Sequence, residues 1–313
     1  MSETQVEEQI VTVPESAAGQ RLDRFLADAL GVPRRRVMAA FEAGDVRVGR
    51  RRAKKGEPVE PGREVHVRLP PPPAPPVPEP ELPLSVVHAD EAIVVVEKPA
   101  GWPTHPLVPG ERGTVANALV ARFPDCAVAG GDLREAGFAH RLDTDTSGLL
   151  VAARTRDAWD SLRAQLSART VDKEYLALAA GSVFGPVEVA VPIGKEPGAV
   201  GKMVAAPDDR LAVKTGAREA LTLVETERRF PGWTLVRCRI ATGVTHQIRV
   251  HLAHLGSPVA GDDLYGGARP EGLHRMFLHA TRLAFDHPAT GARVIFESPL
   301  PPELARVVDM LGR

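Results

Sequence analysis

The chain has 313 residues, which is enough for a catalytic domain and a smaller module. Its content of 43% hydrophobic and 25% charged residues is typical of a globular protein and excludes a disordered class. The formal net charge of -1 neither indicates nor excludes a nucleic-acid partner, so the local distribution of charge matters more than its total.

Cysteine usage and the N-terminal residues favour a cytoplasmic protein. Cys126 and Cys238 lack CxxC spacing and cannot form a disulfide framework, so we expect both to be reduced in the core. Residues 1–10 are acidic and polar, unlike a secretory signal. No segment approaches the roughly 20 apolar residues that a membrane helix requires, so no membrane association is expected.

A small module is predicted over residues 19–69, after an N-terminal tail of residues 1–18. A first amphipathic helix is indicated by apolar residues at helical spacing, namely Leu22, Phe25, Leu26 and Leu30. A second helix is expected after Pro33, with three arginines in its first turn. Short alternating strands are then indicated by four valines, Val46, Val48, Val65 and Val67.

This module carries a strongly basic segment. Between Arg34 and Lys55 there are nine Lys or Arg and two acids, a formal charge of +7. Arginines at a helix N-terminus oppose the macrodipole, and this local cost favours a role in binding a ligand. The alternative is an ordinary solvated surface. Phosphate contacts are therefore predicted for six cations, Arg34, Arg35, Arg36, Arg47, Arg51 and Lys54.

Residues 70–83 contain nine prolines in fourteen positions. Proline lacks a backbone donor and fixes φ, so this segment is predicted to be an extended polyproline spacer between two folded parts. A ligand for a proline-binding domain is the alternative. The segment separates the small module from a second domain, predicted over residues 84–313.

The second domain has the patterns of both strands and helices. Residues 92–96 and 149–153 are apolar runs typical of buried strands, and residues 233–240 alternate apolar and basic side chains. Residues 156–169 have the period of a helix. Because these elements follow no regular βαβ rhythm, we predict an α+β fold with a mixed, largely antiparallel sheet.

Three polar segments of this domain carry the candidate chemistry. In the first, residues 140–150, Asp143 follows His140 and Arg141 in a turn-prone stretch before an apolar strand. A guanidinium there can bind a phosphate group of a ligand while the carboxylate acts as a nucleophile. The second, residues 173–177, places Tyr175 within an apolar run.

The third segment, residues 241–252, is predicted to begin a helix. Thr245 is the expected N-cap, and Arg249 falls in the first turn. Arg249 lies beside an apolar stripe formed by Ile248, Leu252 and Leu255.

These three segments resemble the RluA-type family of RNA pseudouridine synthases. The resemblance extends over residues 84–313 and includes residues 94–101, 261–266 and 278–280. Residues 19–69 resemble the S4 RNA-binding domain through residues 21–26, 34–36, 44–48 and 61–62, although Val48-Gly49-Arg50 stands where that domain commonly has Val-Asn-Gly. The resemblance implies an α+β catalytic domain with one extended sheet and a central cleft, preceded by a small S4-like α/β module.

The resemblance also implies roles for individual residues. Asp143 matches the catalytic aspartate, Tyr175 the active-site tyrosine, and Arg249 the arginine that pairs with the aspartate. Arg141, beside His140, matches an arginine that enters the RNA stack where the target base has left. Val244 stands where the family has an arginine.

The implied activity is a cofactor-independent isomerisation of uridine to pseudouridine in structured RNA, with large-subunit ribosomal RNA favoured over tRNA. The target base must be flipped out of its stack to expose the glycosidic bond. A carboxylate is ionised at neutral pH, and a guanidinium can orient it by one or two hydrogen bonds. Attack on the sugar, attack on the base and assisted elimination all remain open. We expect a monomer without a required protein partner.

Two rival functions follow from the same residues. One is a silent RNA-binding factor, which the set of Asp143, Tyr175 and Arg249 disfavours. The other is a metal-dependent RNA hydrolase, but His246, His251 and His254 lack the spacing of a helical zinc pair, so no metal is predicted. Residues 191–218 are expected to form either a flexible loop or a clamp that orders on RNA.

Overall fold

The computed structural model describes residues 8–72 and 74–313, and the chain divides after residue 73 into two compact units. Each unit has its own hydrophobic core. Within the described ranges, no helix is both long enough and apolar enough to cross a bilayer.

The N-terminal unit contains helices α1 (Leu22–Ala29) and α2 (Arg34–Ala43). Its antiparallel sheet has the order β1-β4-β2-β3, formed by β1 (Glu8–Thr12), β2 (Val46–Val48), β3 (Arg51–Arg52) and β4 (Glu64–Arg68). The apolar faces of both helices pack on the sheet through Leu22, Phe25, Leu26, Val37, Val46, Val65 and Val67. The predicted helices and strands of this module are therefore present.

The predicted module boundary at residue 19 is too late. Strand β1 pairs with β4 from Glu8 opposite Arg68 to Thr12 opposite Glu64, and Val13 and Ala17 are buried in the core. The side chains of β1 are mostly exposed, so the strand depends on backbone pairing rather than on an apolar pattern that the sequence would reveal. Residues 1–7 of the predicted tail lie outside the described residues.

Several of the basic residues in this unit have structural partners. Arg34 donates from Nε to the buried carboxylate of Asp23 at 2.8 Å. Burial would raise the pKa of Asp23, but the hydrogen bonds from Arg34 and Arg21 outweigh it and lower the pKa. The ion pair accounts for an arginine at the start of α2, which the sequence attributed to a ligand.

Arg36 and Arg51 are likewise engaged. Arg36 donates from Nη2 and Nε to the carbonyl of Pro70, at 2.8 and 3.0 Å. Arg51 forms a two-pronged ion pair with Glu57 at 2.9 and 3.1 Å. Arg35, Arg47 and Lys54 are exposed, and their side chains have no ion pair within residues 8–72.

The second half of the proline-rich segment belongs to the C-terminal unit. The carbonyl of Val77 accepts a hydrogen bond from the side chain of Asn117 at 2.8 Å. The carboxylate of Glu79, which is 7% exposed, accepts one from the backbone N–H of Gly113 at 2.7 Å. The predicted spacer over 70–83 is therefore wrong for residues 77–79, because these contacts fix the segment against the domain.

The C-terminal unit is built around one sheet with the order β5-β6-β7-β14-β8-β13-β12-β9, and β15 pairs with β14. The strands of this unit are β5 (Ser85–Ala89), β6 (Ile93–Lys98), β7 (Ser147–Ala153), β8 (Asp172–Ala180), β9 (Val187–Val189), β10 (Ile193–Lys195), β11 (Met203–Ala205), β12 (Thr222–Phe230), β13 (Trp233–Ile240), β14 (Leu278–Asp286) and β15 (Arg293–Glu297). Strands β10 and β11 form a separate two-stranded sheet. Strands β7 and β14 are parallel, and the other pairings are antiparallel. The predicted α+β fold with a mixed, largely antiparallel sheet is confirmed.

Helices cover both faces of this sheet. They are α3 (Val115–Arg122), α4 (Cys126–Ala129), α5 (Arg156–Ser167), α6 (Asp209–Thr215), α7 (Gln247–His254) and α8 (Pro302–Leu311). Helices α3 and α7 pack on the face that carries Val94, Leu150 and Val236, and α5 packs on the opposite face of β6 and β7. Cys126 and Cys238 are buried as free thiols, as the sequence predicted.

Gly148 allows β7 and β14 to approach closely. It faces Ala280 in the parallel pairing, with φ at +117°, and a Cβ atom there would lie 2.2 Å from the Ala280 carbonyl oxygen. A side chain is therefore excluded, which explains a glycine at the start of a strand. This contact fixes the start of β7, directly after the Asp143 segment.

Residues 191–218 fold rather than form a flexible loop. Strands β10 and β11 pair as an antiparallel hairpin, and α6 begins at an Asp208 cap whose side chain accepts from Leu211 N–H. The backbone N–H of Met203 donates to the Tyr265 hydroxyl at 3.0 Å. The flexible-loop expectation is thus wrong.

Candidate active site

A cleft of about 840 Å³ opens on the sheet face that carries α7. Its walls come from the segment before β7, from β8, from the end of β13 and from the start of α7. Asp143, Tyr175 and Arg249 all line this cleft, together with His140 and Arg141. The structure therefore brings together the five residues that the sequence singled out in this domain.

The Asp143 segment is held by a lysine side chain at the end of the neighbouring strand β6. Lys98, at the end of β6, is fully buried, and its ammonium donates to the carbonyls of Pro99, Trp102 and Thr144 at 2.9, 2.6 and 2.7 Å. Burial lowers the pKa of Lys98 to about 7, although Asp145 and Asp143 oppose that change. Of the three acceptors, Thr144 lies in the Asp143 segment, so the bond from Lys98 to Thr144 holds that segment without using the Asp143 carboxylate.

Arg249 forms two kinds of contact with carboxylates. Its Nη1 donates to Asp143 Oδ2 at 3.1 Å, while Nε and Nη2 donate to the two oxygens of Asp262 at 2.6 and 2.8 Å. The two-pronged contact is therefore made with Asp262, and Asp143 receives a single bond. The other oxygen of Asp143 has no hydrogen bond within residues 74–313 and is free for a substrate.

Asp262 is the site residue that the sequence analysis left without a role. Asp262 is 2% exposed, and its Oδ1 also accepts hydrogen bonds from the backbone N–H groups of Leu264 and Tyr265. A buried carboxylate requires such partners, so Asp262 fixes the orientation of the guanidinium. The only sequence signal was its position in residues 261–266, where a neighbouring acid, Asp263, is 80% exposed in its side chain.

Tyr175 lies on β8, where it pairs with Cys238 on one side and Ala280 on the other. The residue is 6% exposed and lines the cleft beside Asp143. Burial and the negative charge of Asp143 raise the pKa of its hydroxyl, so the group stays protonated at neutral pH. It offers a flat aromatic face and an O–H donor to a substrate in the cleft.

His246 adds a further polar group near the carboxylate. Its Nε2 lies 3.8 Å from Asp143 Oδ2, and its Nδ1 is 2.9 Å from the Tyr265 hydroxyl. The backbone of His246 is left-handed, with φ at +58°, which is strained for a residue with a side chain. Burial lowers the pKa of His246, so the ring is neutral at pH 7.

His140 and Arg141 occupy different positions in the cleft wall. His140 Nε2 accepts a hydrogen bond from Val151 N–H at 3.3 Å, and burial lowers its pKa to about 3. The ring is therefore neutral and tied to β7. Arg141 is exposed and pairs with no carboxylate in the described part of the chain, which leaves its guanidinium open to a ligand in the cleft.

Helix α7 begins differently from the prediction. Its N-cap is His246 rather than Thr245, and no side chain caps it. Gln247 instead accepts from Val244 N–H at 3.1 Å and from the Thr242 hydroxyl at 2.7 Å. Ile248 and Leu252 are buried as expected, whereas Leu255 is 38% exposed because the helix ends at His254.

Val244 has a structural role in place of the family's arginine. It is 8% exposed and packs with Ile193, Ala220 and Val250 in a small apolar cluster. An arginine at this position would bury its charge in that cluster, so the cluster accounts for a valine here.

No arrangement of three or more metal-ligating side chains is found among the residues that the structure describes. His251, one of the three histidines considered for zinc, is fully buried and bonds the Thr222 hydroxyl and the Val191 carbonyl at 2.8 and 2.9 Å. Both ring nitrogens are thereby occupied.

Comparison with known proteins decides the family. The family described as RNA pseudouridylate synthase matches residues 92–254. A ribosomal large subunit pseudouridine synthase D from Xanthomonas campestris is 36% identical over 96% of this chain and 91% of its own length. The chain belongs to the RluA-type family of RNA pseudouridine synthases. An uncharacterised RNA pseudouridine synthase from Chloroflexus aurantiacus is 43% identical over 98% of this chain and 95% of its own length.

A solved structure supports the same conclusion for this RNA pseudouridine synthase. Human RNA pseudouridylate synthase domain containing 1 shares the fold with a TM-score of 0.54 and 29% identity, over 72% of this chain and 87% of its own. The chain is thus an isomerase that acts on RNA, with the α+β catalytic fold of its family.

The role of Asp262 in this synthase can be tested by Asp262→Asn. The substitution replaces one of the two oxygens that bind Arg249 with an amide, so the guanidinium no longer holds Asp143 in one orientation. We expect the single-turnover rate of pseudouridine formation to fall about 10²-fold at saturating RNA. Asp263→Asn is the matched control and should retain the wild-type rate. Equal rates for both variants would remove Asp262 from the site.

Proposed function

We propose that this synthase modifies uridine in large-subunit ribosomal RNA. The relative from Xanthomonas campestris is named for that substrate, and its similarity spans 96% of the chain, including the N-terminal unit. The proposed catalysis rests on one observation above all, the contact between Asp143 and Arg249, both of which line the cleft.

Asp143 is proposed to act on the nucleoside through its free oxygen. Converting uridine breaks the bond between the sugar C1′ and N1 of uracil, turns the base and joins C1′ to C5. C5 then loses its proton and N1 gains one, so that the product is an isomer of uridine. Arg249 holds Oδ2 of Asp143, which orients the carboxylate and leaves its other oxygen available to the reacting atoms. A group held in this way avoids reorganisation during the reaction.

Tyr175 and Arg141 are proposed to handle the flipped base. A uracil within a folded RNA hides the glycosidic bond, so it must leave its stack. The face of Tyr175 supports the base beside Asp143, and the exposed Arg141 fills the space that the base leaves in the RNA. A base confined between these walls is retained after its bond to the sugar breaks.

The N-terminal unit is proposed to be an S4-like module that binds RNA through its exposed cations. Of the six cations predicted to contact phosphate, Arg35, Arg47 and Lys54 are exposed and have no ion pair within residues 8–72. Arg34 and Arg51 pair with acids, and Arg36 binds the Pro70 carbonyl. The enzyme is further proposed to act as a monomer and to be cytoplasmic, and the second proposal is supported by its two buried free thiols.

The central test is Asp143→Asn. The substitution keeps the shape of the side chain and removes its charge, so pseudouridine formation should fall by at least about 10³-fold while RNA affinity stays within a few-fold. The assay maps pseudouridine in large-subunit ribosomal RNA taken from a strain that lacks the gene and treated with purified enzyme. Asp145→Asn, in an exposed turn, is the control. Turnover by Asp143→Asn would exclude the nucleophile, and a map unchanged by wild type would exclude this substrate.

The RNA-binding module is tested by a triple variant in which Arg35, Arg47 and Lys54 become Gln. Each phosphate contact contributes about 0.7–0.9 to the slope of log affinity against log salt concentration, so the slope should fall by roughly 2. A matched variant replaces Arg34, whose carboxylate partner is buried, and should mainly lower the melting temperature. An unchanged salt slope in the triple variant would show that these cations do not bind RNA.

A further inference from the structure

Lys173 is a buried cation that the chemistry above does not use. It lies on β8, two residues before Tyr175, so the two side chains project from the same face of the sheet. The residue is 7% exposed and lines the same cleft. Its ammonium donates to the carbonyl of Thr242 at 3.1 Å.

Two other cations in the cleft wall pair with carboxylates, whereas Lys173 does not. Arg249 is bound by Asp262 and Asp143, and Arg169 pairs with Glu219 at 2.9 Å. No carboxylate pairs with Lys173 in residues 8–72 or 74–313. An ammonium has three donors, so two of them are unused by the protein.

The surroundings of Lys173 carry positive charge. Burial lowers the pKa of His140, and the positive charges of Lys173 and Arg163 lower it further, so both cations lie near this ring. Arg163 uses one donor on the carbonyl of Ala139 at 2.9 Å, a neutral acceptor. Burying a cation without a counter-charge is unfavourable, and an anionic ligand would relieve that cost.

We propose that Lys173 binds a backbone phosphate of the RNA, next to the nucleotide whose base lies on Tyr175. The inference rests on the proposed substrate and goes beyond it by assigning a phosphodiester subsite at the Lys173 end of the cleft. Positions two residues apart on a strand are about 7 Å apart, comparable with the reach from a base to the phosphate of its own nucleotide. A phosphate neutralises the charge of Lys173, whereas a uracil carbonyl would only accept a hydrogen bond from it.

The phosphate is identified by pairing a protein variant with an RNA variant. The probe is a fragment of large-subunit ribosomal RNA around a candidate target uridine, in which single phosphates are replaced in turn by uncharged methylphosphonates. Affinity is measured for the full-length wild type, Lys173→Met and Lys173→Arg. Lys195→Met, which removes an exposed cation from β10, is the matched control.

We expect Lys173→Met to weaken binding about 10-fold, and one methylphosphonate beside the target uridine to weaken wild-type binding by a similar factor. Combined, the two changes should lower the RNA affinity no more than either change alone, because they remove the same contact. Lys173→Arg should keep the sensitivity to that methylphosphonate. Lys195→Met should leave the full set of methylphosphonate effects unchanged.

Fully additive losses, or an affinity unchanged by Lys173→Met, would overturn the phosphate site. Lys173→Gln replaces the methionine variant if the latter does not fold, and thermal unfolding identifies that case. Wild-type modification of the unaltered fragment is scored separately. Non-additive affinity losses without any pseudouridine formation would therefore support the phosphate site and reject the proposed substrate. Pseudouridine formation with additive affinity losses would support the substrate and reject the phosphate site.

Discussion

The guanidinium of Arg249 joins two carboxylates that come from distant parts of the chain, and the geometry of the site depends on this contact. Asp262 is buried and takes the two-pronged interaction, while Asp143 receives one donor at 3.1 Å. Arg249 is the shared counter-charge of both acids, so its loss would leave two partly buried carboxylates unpaired, which is unfavourable. The arrangement orients a reactive carboxylate and still leaves one of its oxygens open to the cleft.

The sheet supplies the rigid frame for this contact. Asp143 precedes β7, whose start is fixed by the close approach of Gly148 to β14 and by the carbonyl contacts of Lys98. Tyr175 lies on β8, on the other side of β14 from β7. Because each group is held by backbone pairing or by buried hydrogen bonds, little conformational freedom is lost when RNA binds.

The sequence predicted the fold class and the meeting of Asp143, Tyr175 and Arg249, because these residues lie in long ordered motifs next to recognisable strands. It did not predict Asp262, since two adjacent aspartates look alike until one of them is buried. Composition also overstated the free charge of the basic segment. Asp23 and Glu57 neutralise Arg34 and Arg51 through contacts that only the folded module creates.

The side-chain pattern of the sequence also failed to predict two of the strand pairings. Strand β1 is mostly exposed, so its apolar content gives no signal, and only its register against β4 defines it. The same holds for the hairpin of β10 and β11, whose polar, glycine-rich sequence is typical of a loop. In both cases hydrogen bonds to a partner strand, rather than local propensity, decide the structure.

The most direct measurement is the single-turnover rate of Arg249→Lys at saturating RNA, taken together with its RNA affinity. A lysine keeps the charge but cannot hold Asp262 and Asp143 in one planar contact. If Arg249 acts by orienting Asp143, the rate falls by about 10²-fold or more while the affinity stays within a few-fold. A retained rate with a weakened affinity would contradict this role and would mean that Arg249 serves to bind RNA.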